Sequence, residues 1–318
     1  MKKKTDLKKV ALIGTGFVGT SFAYALLNSG ECDQLVLIDI NKVKAHGEAM
    51  DLNHGLPFAK RNMLITDGEY CDCCDADIVV IAAGVNQKPG EDRISLLHRN
   101  CEVFRSIIDP VIKSGFEGIF LVATNPVDIM TKITLELSGF DHSKVIGSGT
   151  TLDTARLRYL LGDYFSIDPR NVHAYVIGEH GDSEIIPWSQ AYITTKSVFD
   201  VIDHSNGNFK IDDLNNISKN VTGAAQDIIK AKSATYYGIG MALVRIVRAI
   251  FGDEKSALTT SILLNGQYGI HGVYAGLPAI IGRNGIEDII VLDLKNDEEK
   301  AFINSCNFLK ETAEQIGF

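Results

Sequence analysis

A histidine and an aspartate–arginine pair are the side chains whose types and spacing best suit acid–base chemistry in this sequence. His180 lies in a glycine-flanked segment, residues 178–182 (GEHGD), which follows an apolar run at residues 172–177 that predicts a strand. Asp153 and Arg156 are three residues apart near a threonine-rich helix start, so they share one helix face. Such a helix can direct a carboxylate at an imidazole and a guanidinium at a substrate carboxylate. The alternative is a local ion pair beside a structural histidine.

A glycine-rich turn predicts a nucleotide site. Residues 14–19 (GTGFVG) follow an apolar run and open a helical period, and Asp39 ends the next apolar run. In this setting the glycines permit a tight turn and a close approach of a pyrophosphate to the helix N-terminus. A carboxylate at Asp39 can accept both ribose hydroxyls but repels a 2′-phosphate, which favours NAD over NADP. The alternative is a structural turn with a surface aspartate. The candidate coenzyme-binding residues in this region are Gly14, Gly16, Phe17, Val18, Gly19 and Asp39.

Two further predicted strands end in polar segments. Residues 84–93 (GVNQKPGEDR) form a Gly- and Pro-bounded loop that is long enough to act as a lid. Asn125 follows another apolar run, at residues 119–122. Because the carboxyl ends of parallel strands border the ligand crevice of such a sheet, we expect both segments beside the nucleotide turn.

The elements that must position these residues form an α/β pattern. Short β-branched runs alternate with helical periods in the first half, which predicts a Rossmann-type doubly wound parallel sheet with an NAD-binding domain at residues 1–147. The second half, residues 148–318, is predicted to be a mixed α+β substrate-binding domain whose C-terminal helix can pack back on the first. The predicted strands lie at residues 10–13, 35–38, 78–81, 119–122, 172–177, 257–264, 273–281 and 289–292. The main predicted helices lie at residues 17–28, 94–113, 152–161, 212–232, 236–251 and from 297.

Composition narrows the possible partners. The 31 Lys and Arg against 40 Asp and Glu give a formal net charge of −9, which disfavours nucleic acid and anionic membranes as partners. No apolar run reaches the roughly 20 residues that span a bilayer, and no secretory signal is recognisable, so we expect a cytoplasmic protein. Six cysteines are too sparse for a disulfide framework. The cluster at residues 71–74 (CDCC) lacks a second ligand pair, so we expect no metal site.

The chain resembles the lactate/malate dehydrogenase family, and within it the L-lactate dehydrogenases of bacterial type, from about Lys9 to the C-terminal helix. The resemblance covers both predicted halves and rests on six segments in the same order. These segments are residues 14–19 (GTGFVG), 87–91 (QKPGE), 124–128 (TNPVD), 149–153 (GTTLD), 178–182 (GEHGD) and 235–239 (TYYGI).

This resemblance implies NAD-dependent interconversion of a 2-oxo acid, pyruvate, and its 2-hydroxy acid. It implies that protonated His180 donates a proton to the forming alkoxide while Asp153 orients the imidazole. Arg156 would hold the substrate carboxylate through two parallel hydrogen bonds. Arg93, on the closing loop, would stabilise the charge that develops on the substrate oxygen. The resemblance also implies substrate contacts at Gln87, Asn125 and Thr235, and coenzyme contacts at Gly84, Asn125 and Ile239.

Gln87 stands where malate enzymes of similar pattern carry arginine, so we expect pyruvate rather than oxaloacetate as substrate. Without a fixed cation, burial of the second carboxylate of oxaloacetate is unfavourable. Ser233 and the order of residues 185–188 depart from the commoner pattern, which leaves pocket size open. The alternatives are a malate or a 2-hydroxyisocaproate dehydrogenase and, in another class, a non-catalytic NAD-binding sensor.

A second basic pair suggests regulation. Arg158 is two residues past Arg156 and therefore points about 200° around the helix, and His173 precedes His180 by seven residues. In bacterial relatives activated by fructose 1,6-bisphosphate, the matching arginine and histidine bind this effector at a subunit boundary. The resemblance thus implies an allosteric homotetramer that serves glycolysis and fermentation; the alternative is a solvated arginine and a hydrogen-bonded histidine.

Overall fold

The computed structural model describes residues 7–85, 90 and 93–318, except for the side chain of Arg93. The strands of the first half are β1 (Lys9–Ile13), β2 (Gln34–Ile38), β3 (Leu64–Asp67), β4 (Ile78–Ile81), β5 (Ile119–Val122) and β6 (Val145–Gly147). Its helices are α1 (Phe17–Ser29), α2 (Lys42–Gly55), α3 (Arg93–Lys113) and α4 (Val127–Ser138).

The second half contains the remaining elements of the described chain. Its helices are α5 (Thr151–Phe165), α6 (Val198–Asp203), α7 (Ile211–Lys232), α8 (Tyr237–Gly252) and α9 (Asn296–Glu314). Its strands are β7 (Val172–His173), β8 (Tyr192–Ile193), β9 (Lys196–Ser197), β10 (Ser256–Asn265), β11 (His271–Gly282) and β12 (Gly285–Ile289).

The first six strands form the predicted doubly wound parallel sheet. β1 pairs in parallel with both β2 and β4. Strands β2 and β3 are therefore added on one side of β1, and the chain then crosses back to add β4 on the other side. All five residues of β1 are buried, as expected for a strand that helices cover on both faces. The carboxyl end of β1 therefore lies at the topological switch point, where sheets of this kind bind nucleotides.

The sheet continues into the second half of the chain. In the described part its strand order is β12-β11-β10-β6-β5-β4-β1-β2-β3. β10 joins β6 in antiparallel pairing at Ser261 and Gly147. A Cβ atom at Gly147 would lie 2.7 Å from the Cβ of Ser261, so only glycine allows this close approach. A single sheet thus contains strands from both halves of the chain.

The predicted strand at residues 172–177 is mostly wrong, because only Val172–His173 forms a strand. Beyond it, the Val176 N–H donates to Thr154 Oγ1 (2.9 Å) and the Val176 carbonyl accepts from Thr150 Oγ1 (2.6 Å). Helix side chains therefore satisfy this backbone in place of a neighbouring strand. The last predicted strand, at residues 289–292, is shifted to β12 (Gly285–Ile289).

Two apolar cores hold the elements together. The larger core surrounds the main sheet and includes Phe302, Cys306 and Leu309 of α9. The smaller core lies between α5, α6 and α7, with Leu157 and Val221 fully buried. In the part of the chain that the structure describes, no helix has both the length and the apolarity to cross a bilayer.

Candidate active site

The first turn of α5 is fixed against the segment that leads to His180. Thr150 occupies the position before the helix, as predicted, but its hydroxyl does not cap the helix and donates to Val176 O instead (2.6 Å). Thr154, one turn later, accepts from the Val176 N–H. These two hydrogen bonds hold the start of α5 against the segment that leads to His180, although the two segments are more than 20 residues apart in sequence.

His180, Asp153 and Arg156 meet at one buried carboxylate. His180 Nδ1 lies 2.6 Å from Asp153 Oδ2, and Arg156 Nη1 donates to Asp153 Oδ1 at 2.7 Å. Asp153 is only 1% exposed, so both of its oxygens need such partners. The local ion pair that was the alternative reading of the sequence therefore exists, but the same carboxylate also holds the imidazole.

The surrounding charges keep His180 protonated. Burial by itself lowers the pKa of a histidine, but the charge and hydrogen bond of Asp153, together with the charges of Asp128 and Glu184, outweigh it and raise the pKa of His180 to about 9. Burial raises the pKa of Asp153, whereas His180 and Arg156 lower it, and the net direction is downward. The pair is therefore an imidazolium and a carboxylate at neutral pH.

Asp128 fixes the backbone of His180, a contact that was not predicted from the sequence. The His180 N–H donates to Asp128 Oδ2 (2.8 Å), and the Ser261 hydroxyl donates to Asp128 Oδ1 (2.5 Å). Burial is the largest influence on Asp128 and raises its pKa to about 6, although both hydrogen bonds oppose it. A signal was available, because Asp128 is an acidic residue in the otherwise apolar first turn of α4.

The nucleotide turn depends on glycine at two close approaches. Gly14 has φ +98°, and a Cβ atom there would lie 2.6 Å from the backbone nitrogen of Ala83. At Gly19 a Cβ atom would lie 1.9 Å from the carbonyl oxygen of Gly14. Helix α1 therefore packs against the end of β1 at a distance that no other residue type permits.

The N-terminus of α1 fits the pyrophosphate of NAD. Gly16 precedes the helix without a side-chain cap, and its first turn carries no acidic residue. Apart from Gly16 itself and its two chain neighbours, no described atom lies within 4 Å of the Cβ position at Gly16, so space is open in front of the unpaired N–H groups. Val18 is half-buried, whereas Phe17 is 67% exposed and stacks on Tyr236 with ring centroids 5.2 Å apart.

Asp39 fits the adenosine ribose of NAD. Its Oδ2 accepts from the Thr15 N–H (2.7 Å) and from the Thr15 hydroxyl (2.9 Å), which fixes the carboxylate at the end of β2. Burial raises the pKa of Asp39, but the hydrogen bonds from Thr15 and Asn41 outweigh it and lower the pKa. An anion in this position favours a ribose diol over a 2′-phosphate.

The remaining predicted residues line the junction between the two halves. Gly84 lies against Thr124, whose hydroxyl donates to Ala83 O (2.7 Å), and Asn125 follows as an exposed residue. At the start of α8, the Cβ position of Gly238 lies 2.8 Å from Leu152 of α5. That of Gly240 lies 2.9 Å from the backbone of Ser21 in α1.

Helix α8 therefore begins between the coenzyme helix and the catalytic helix. Thr235, just before this helix, and Ile239, in its first turn, are both half-buried. Gln87 and the side chain of Arg93 lie outside the described residues, so their predicted roles remain predictions.

The second basic pair lies away from the catalytic cluster. Arg158 Nε donates to Ala174 O (3.1 Å), and its guanidinium lies 5.2 Å from the ring centroid of Tyr175. His173 is exposed on β7, one residue before Ala174. The two side chains therefore belong to neighbouring segments of α5 and β7.

All six cysteines are free thiols in the structure. Burial raises the pKa of Cys73 and Cys306 to about 12, so these two thiols stay protonated at neutral pH. Among the described residues, no three His, Cys, Asp or Glu side chains cluster in a way that could hold a metal ion.

Comparisons with known proteins agree over nearly the whole chain. Residues 8–147 match the model of the lactate/malate dehydrogenase NAD binding domain, and residues 150–317 match the model of its alpha/beta C-terminal domain. An L-lactate dehydrogenase from Geobacillus sp. (strain WCH70) is 54% identical over 309 residues, which are 97% of each chain.

Solved structures agree as well. A lactate dehydrogenase from a Medee basin deep-sea metagenome library is 51% identical and superposes with a TM-score of 0.97, over 99% of this chain and 100% of the other. The minor L-lactate dehydrogenase of Enterococcus mundtii, in its ligand-bound form, is 44% identical with a TM-score of 0.95, over 98% of this chain and 99% of the other.

Proposed function

The chain belongs to the lactate/malate dehydrogenase family, and on that premise we propose that it interconverts pyruvate and L-lactate with NAD as its coenzyme. The observation that carries the proposal is the Asp153 carboxylate, which bonds at once to His180 and to Arg156. One acid–base group and one carboxylate-binding group are thereby held together, on a helix that α8 links to the coenzyme helix α1. The names of relatives about half identical to this chain support the choice of substrate.

The chain's own residues supply binding and proton transfer. Arg156 binds the substrate carboxylate through its guanidinium, because a planar fork can donate two parallel hydrogen bonds. Protonated His180 donates its Nε2 proton to the substrate oxygen as negative charge develops there. Asp153 bonds to Nδ1, which keeps that nitrogen protonated and leaves Nε2 facing the substrate. In the reverse direction, neutral His180 accepts the hydroxyl proton of lactate.

The coenzyme is held by the turn and the strand end already described. When bound, NADH supplies the hydride that reduces C2 of the substrate. The N–H groups at the start of α1 bind the pyrophosphate and Asp39 binds the ribose. Gly84 and Asn125 would border the nicotinamide of the bound coenzyme, and the apolar side chain of Ile239 would exclude water from the ring.

Substrate choice and oxyanion stabilisation are assigned to the loop at residues 84–93. Arg93 stabilises the charge on the substrate oxygen in the transition state. Gln87 disfavours oxaloacetate, because its neutral side chain offers no cation to a second carboxylate. Thr235 borders the substrate side chain.

A spectrophotometric assay of NADH oxidation tests the proposal. Pyruvate, oxaloacetate and 2-oxo-4-methylpentanoate are compared as substrates of the purified protein. We expect kcat/KM for pyruvate to exceed the other two at least tenfold. Equal or higher values for oxaloacetate or the branched acid would make the protein a malate or a 2-hydroxyisocaproate dehydrogenase. An absence of turnover with NADH binding intact would indicate the non-catalytic sensor.

We further propose that fructose 1,6-bisphosphate activates the enzyme through Arg158 and His173. Support comes from their position on adjacent segments and from the exposure of His173. A basic pair that meets its own copy across a two-fold axis suits a ligand with two anionic ends. We therefore also propose a homotetramer, located in the cytoplasm, that regenerates NAD during glycolytic fermentation.

The effector is tested by measuring the pyruvate KM and the sedimenting mass with and without fructose 1,6-bisphosphate. We expect the sugar bisphosphate to lower KM and to favour the larger assembly, and we expect Arg158→Gln to remove both effects. If KM and mass do not respond in the unaltered protein, the allosteric proposal is wrong while the assignment of the reaction stands.

A further inference from the structure

Three cysteines lie together in residues 71–74 (CDCC), after β3, and the proposed reaction gives them no role. Their side chains differ in access to solvent, because Cys71 is exposed, Cys74 is partly buried and Cys73 is fully buried in the main core. Cys71 is also the only exposed thiol of the six, all of which lie in the described part of the chain. Two of the three thiols are therefore open to a small reagent.

The backbone places Cys71 and Cys74 at the two ends of one turn. Residues Tyr70–Cys73 form a short 3₁₀ helix, and the Cys74 N–H donates to the Cys71 carbonyl at 3.3 Å. The Glu69 N–H donates to Asp72 Oδ2 (2.9 Å), which fixes the start of this helix. Side chains three residues apart eclipse one another in a 3₁₀ helix, so the side chains of Cys71 and Cys74 lie on the same side of the turn.

This geometry meets the requirement of a disulfide. The first and last Cα atoms of a tight turn lie less than about 7 Å apart, and disulfides join Cα atoms about 4.4–6.8 Å apart. The Cys74 thiol donates to Asp75 Oδ1 at 3.9 Å, a weak contact that costs little free energy to break. Because Cys71 is exposed, its side chain can rotate about χ1 toward Cys74 without displacing core atoms.

The neighbouring thiol and the flanking charges select the reaction partner. Burial raises the pKa of the Cys73 thiol to about 12, so this thiol is inert at neutral pH. Asp72 follows Cys71 in sequence, and Asp75 follows Cys74 and pairs with Lys9. The local charge is thus neutral to negative, which favours an uncharged oxidant over an anionic one.

We propose that Cys71 and Cys74 form a redox-active dithiol that exchanges with small, uncharged aliphatic disulfides. The Cys71 thiolate attacks one sulfur of the reagent R–S–S–R, so that a mixed disulfide forms and one R–S⁻ leaves. The Cys74 thiolate then attacks Cys71 Sγ, which closes the internal disulfide and expels the second R–S⁻. The protons lost by the two cysteines are taken up by the two leaving groups. The cysteines are thus oxidised by two electrons, and the reagent is reduced to two thiols.

The pair keeps oxidation of the exposed thiol reversible. A lone exposed cysteine stays blocked by the reagent, whereas a neighbouring thiol displaces the reagent and leaves a bond that other thiols can reduce. The inference is independent of the proposed reaction, because none of the residues assigned to that reaction belongs to this turn.

Thiol counting after exchange tests the inference. The unaltered protein is incubated with bis(2-hydroxyethyl) disulfide, freed of reagent and unfolded in N-ethylmaleimide, and its intact mass gives the number of labelled thiols and of reagent adducts. We expect the count to fall from six thiols to four with no adduct, and dithiothreitol to restore all six. A count that stays at six, or a lasting adduct without an internal bond, overturns the inference.

Three variants assign the steps. Cys74→Ser should stop at the mixed disulfide, with one thiol lost and one adduct retained on Cys71. Cys71→Ser should form no internal bond. Cys73→Ala, which removes the buried neighbour, is the matched control and should still lose two thiols without an adduct. If Cys74→Ser or Cys71→Ser still closes an internal bond, or if Cys73→Ala does not, another pair reacts and the inference is wrong.

Peptide mapping of the unaltered protein covers the case in which a variant fails to fold. After exchange, N-ethylmaleimide under unfolding conditions labels every thiol that remains. We expect the label on Cys73 and on the other buried cysteines, but not on Cys71 or Cys74. Label on Cys71, or an internal bond that includes Cys73, overturns the inference.

Discussion

The turn between β1 and α1 is built from backbone atoms, whereas the cluster around His180 is built from charged side chains on separate segments. Residues 9–39 contain the turn together with the strand before it, the helix after it and the end of the next strand, and Ala83 packs against Gly14. The cluster joins Asp128, Asp153 and His180 through side-chain bonds that cross up to 52 residues of sequence. Steric space therefore limits which substitutions the turn tolerates, and charge balance limits which substitutions the cluster tolerates.

This difference teaches how each region fails. A methyl group in the wrong place disrupts the turn, although it changes no charge. A neutral isostere disrupts the cluster, although it changes no volume. Substitutions can therefore be chosen to affect one region and leave the other intact.

The largest expected effect is that of Asp153→Asn. The amide cannot pair with two cations at once, so it leaves Arg156 misdirected and His180 without its counter-charge. We expect kcat/KM for pyruvate to fall about a thousandfold, which corresponds to about 4 kcal/mol of transition-state stabilisation. Steady-state NADH oxidation measures it. Asp163→Asn, at an exposed position on the same helix, is the control and should be neutral.

The second prediction compares two glycines of the turn. Gly19→Ala places a methyl group 1.9 Å from Gly14 O and should lower the free energy of unfolding by about 3 kcal/mol. The methyl group of Gly16→Ala meets no described atom within 4 Å beyond the adjacent residues, so the free energy of unfolding should change by no more than about 0.5 kcal/mol. Because that methyl group occupies space needed by the pyrophosphate, NADH should bind about tenfold more weakly. Urea unfolding and NADH titration separate the two. Equal stability losses would contradict the steric account of the turn.

The third prediction concerns Arg156→Lys. Lysine keeps the positive charge but cannot donate two parallel hydrogen bonds to a carboxylate. We expect kcat/KM for pyruvate to fall about a hundredfold, about 3 kcal/mol, with NADH affinity unchanged. Arg170→Lys, in an exposed pair with Asp168, is the matched control. If Arg156→Lys retained full activity, charge alone would suffice and the fork geometry would be irrelevant.

A smaller effect is expected from Asp39→Ser at the strand end. Removal of the carboxylate also removes its repulsion of a 2′-phosphate. The ratio of kcat/KM with NADPH to kcat/KM with NADH should therefore rise about tenfold, which corresponds to about 1.4 kcal/mol. Assays with both coenzymes test it, with Asp51→Ser on the exposed face of α2 as control. An unchanged coenzyme ratio would mean that the selectivity lies elsewhere.

The mildest perturbation is a change of pH. The pKa of His180 is raised above its usual 6.5 to about 9, so the stability that its ion pair with Asp153 contributes is complete below pH 6.5 and is lost as pH rises through 9. Pyruvate reduction needs the imidazolium and should fall tenfold per unit above about pH 9. In Asp153→Asn this limb should move to lower pH. A profile of kcat/KM against pH for both proteins measures the shift.

Local patterns were sufficient for most elements and for the nucleotide turn. Strands β1, β2, β4 and β5 and helices α1, α3, α7, α8 and α9 were predicted within a few residues, because hydrophobic periodicity is a local property, whereas β3, β6, α2 and α4 were not predicted. The strand at residues 172–177 was mispredicted, since its backbone bonds to side chains of α5 that no local pattern indicates. The antiparallel pairing of β10 with β6 at Ser261 and Gly147, which continues the sheet, was likewise not predicted from the sequence.

The sequence by itself determined which chemistry the chain can perform, since the identities of His180, Asp153 and Arg156 and the glycine spacing of the turn are present before folding. Only the tertiary structure decided that one carboxylate serves both cations and that Asp128 holds the backbone of His180. The physical reason is that a pKa and a hydrogen bond depend on burial and on neighbours from distant segments. Neither property exists until the chain is packed.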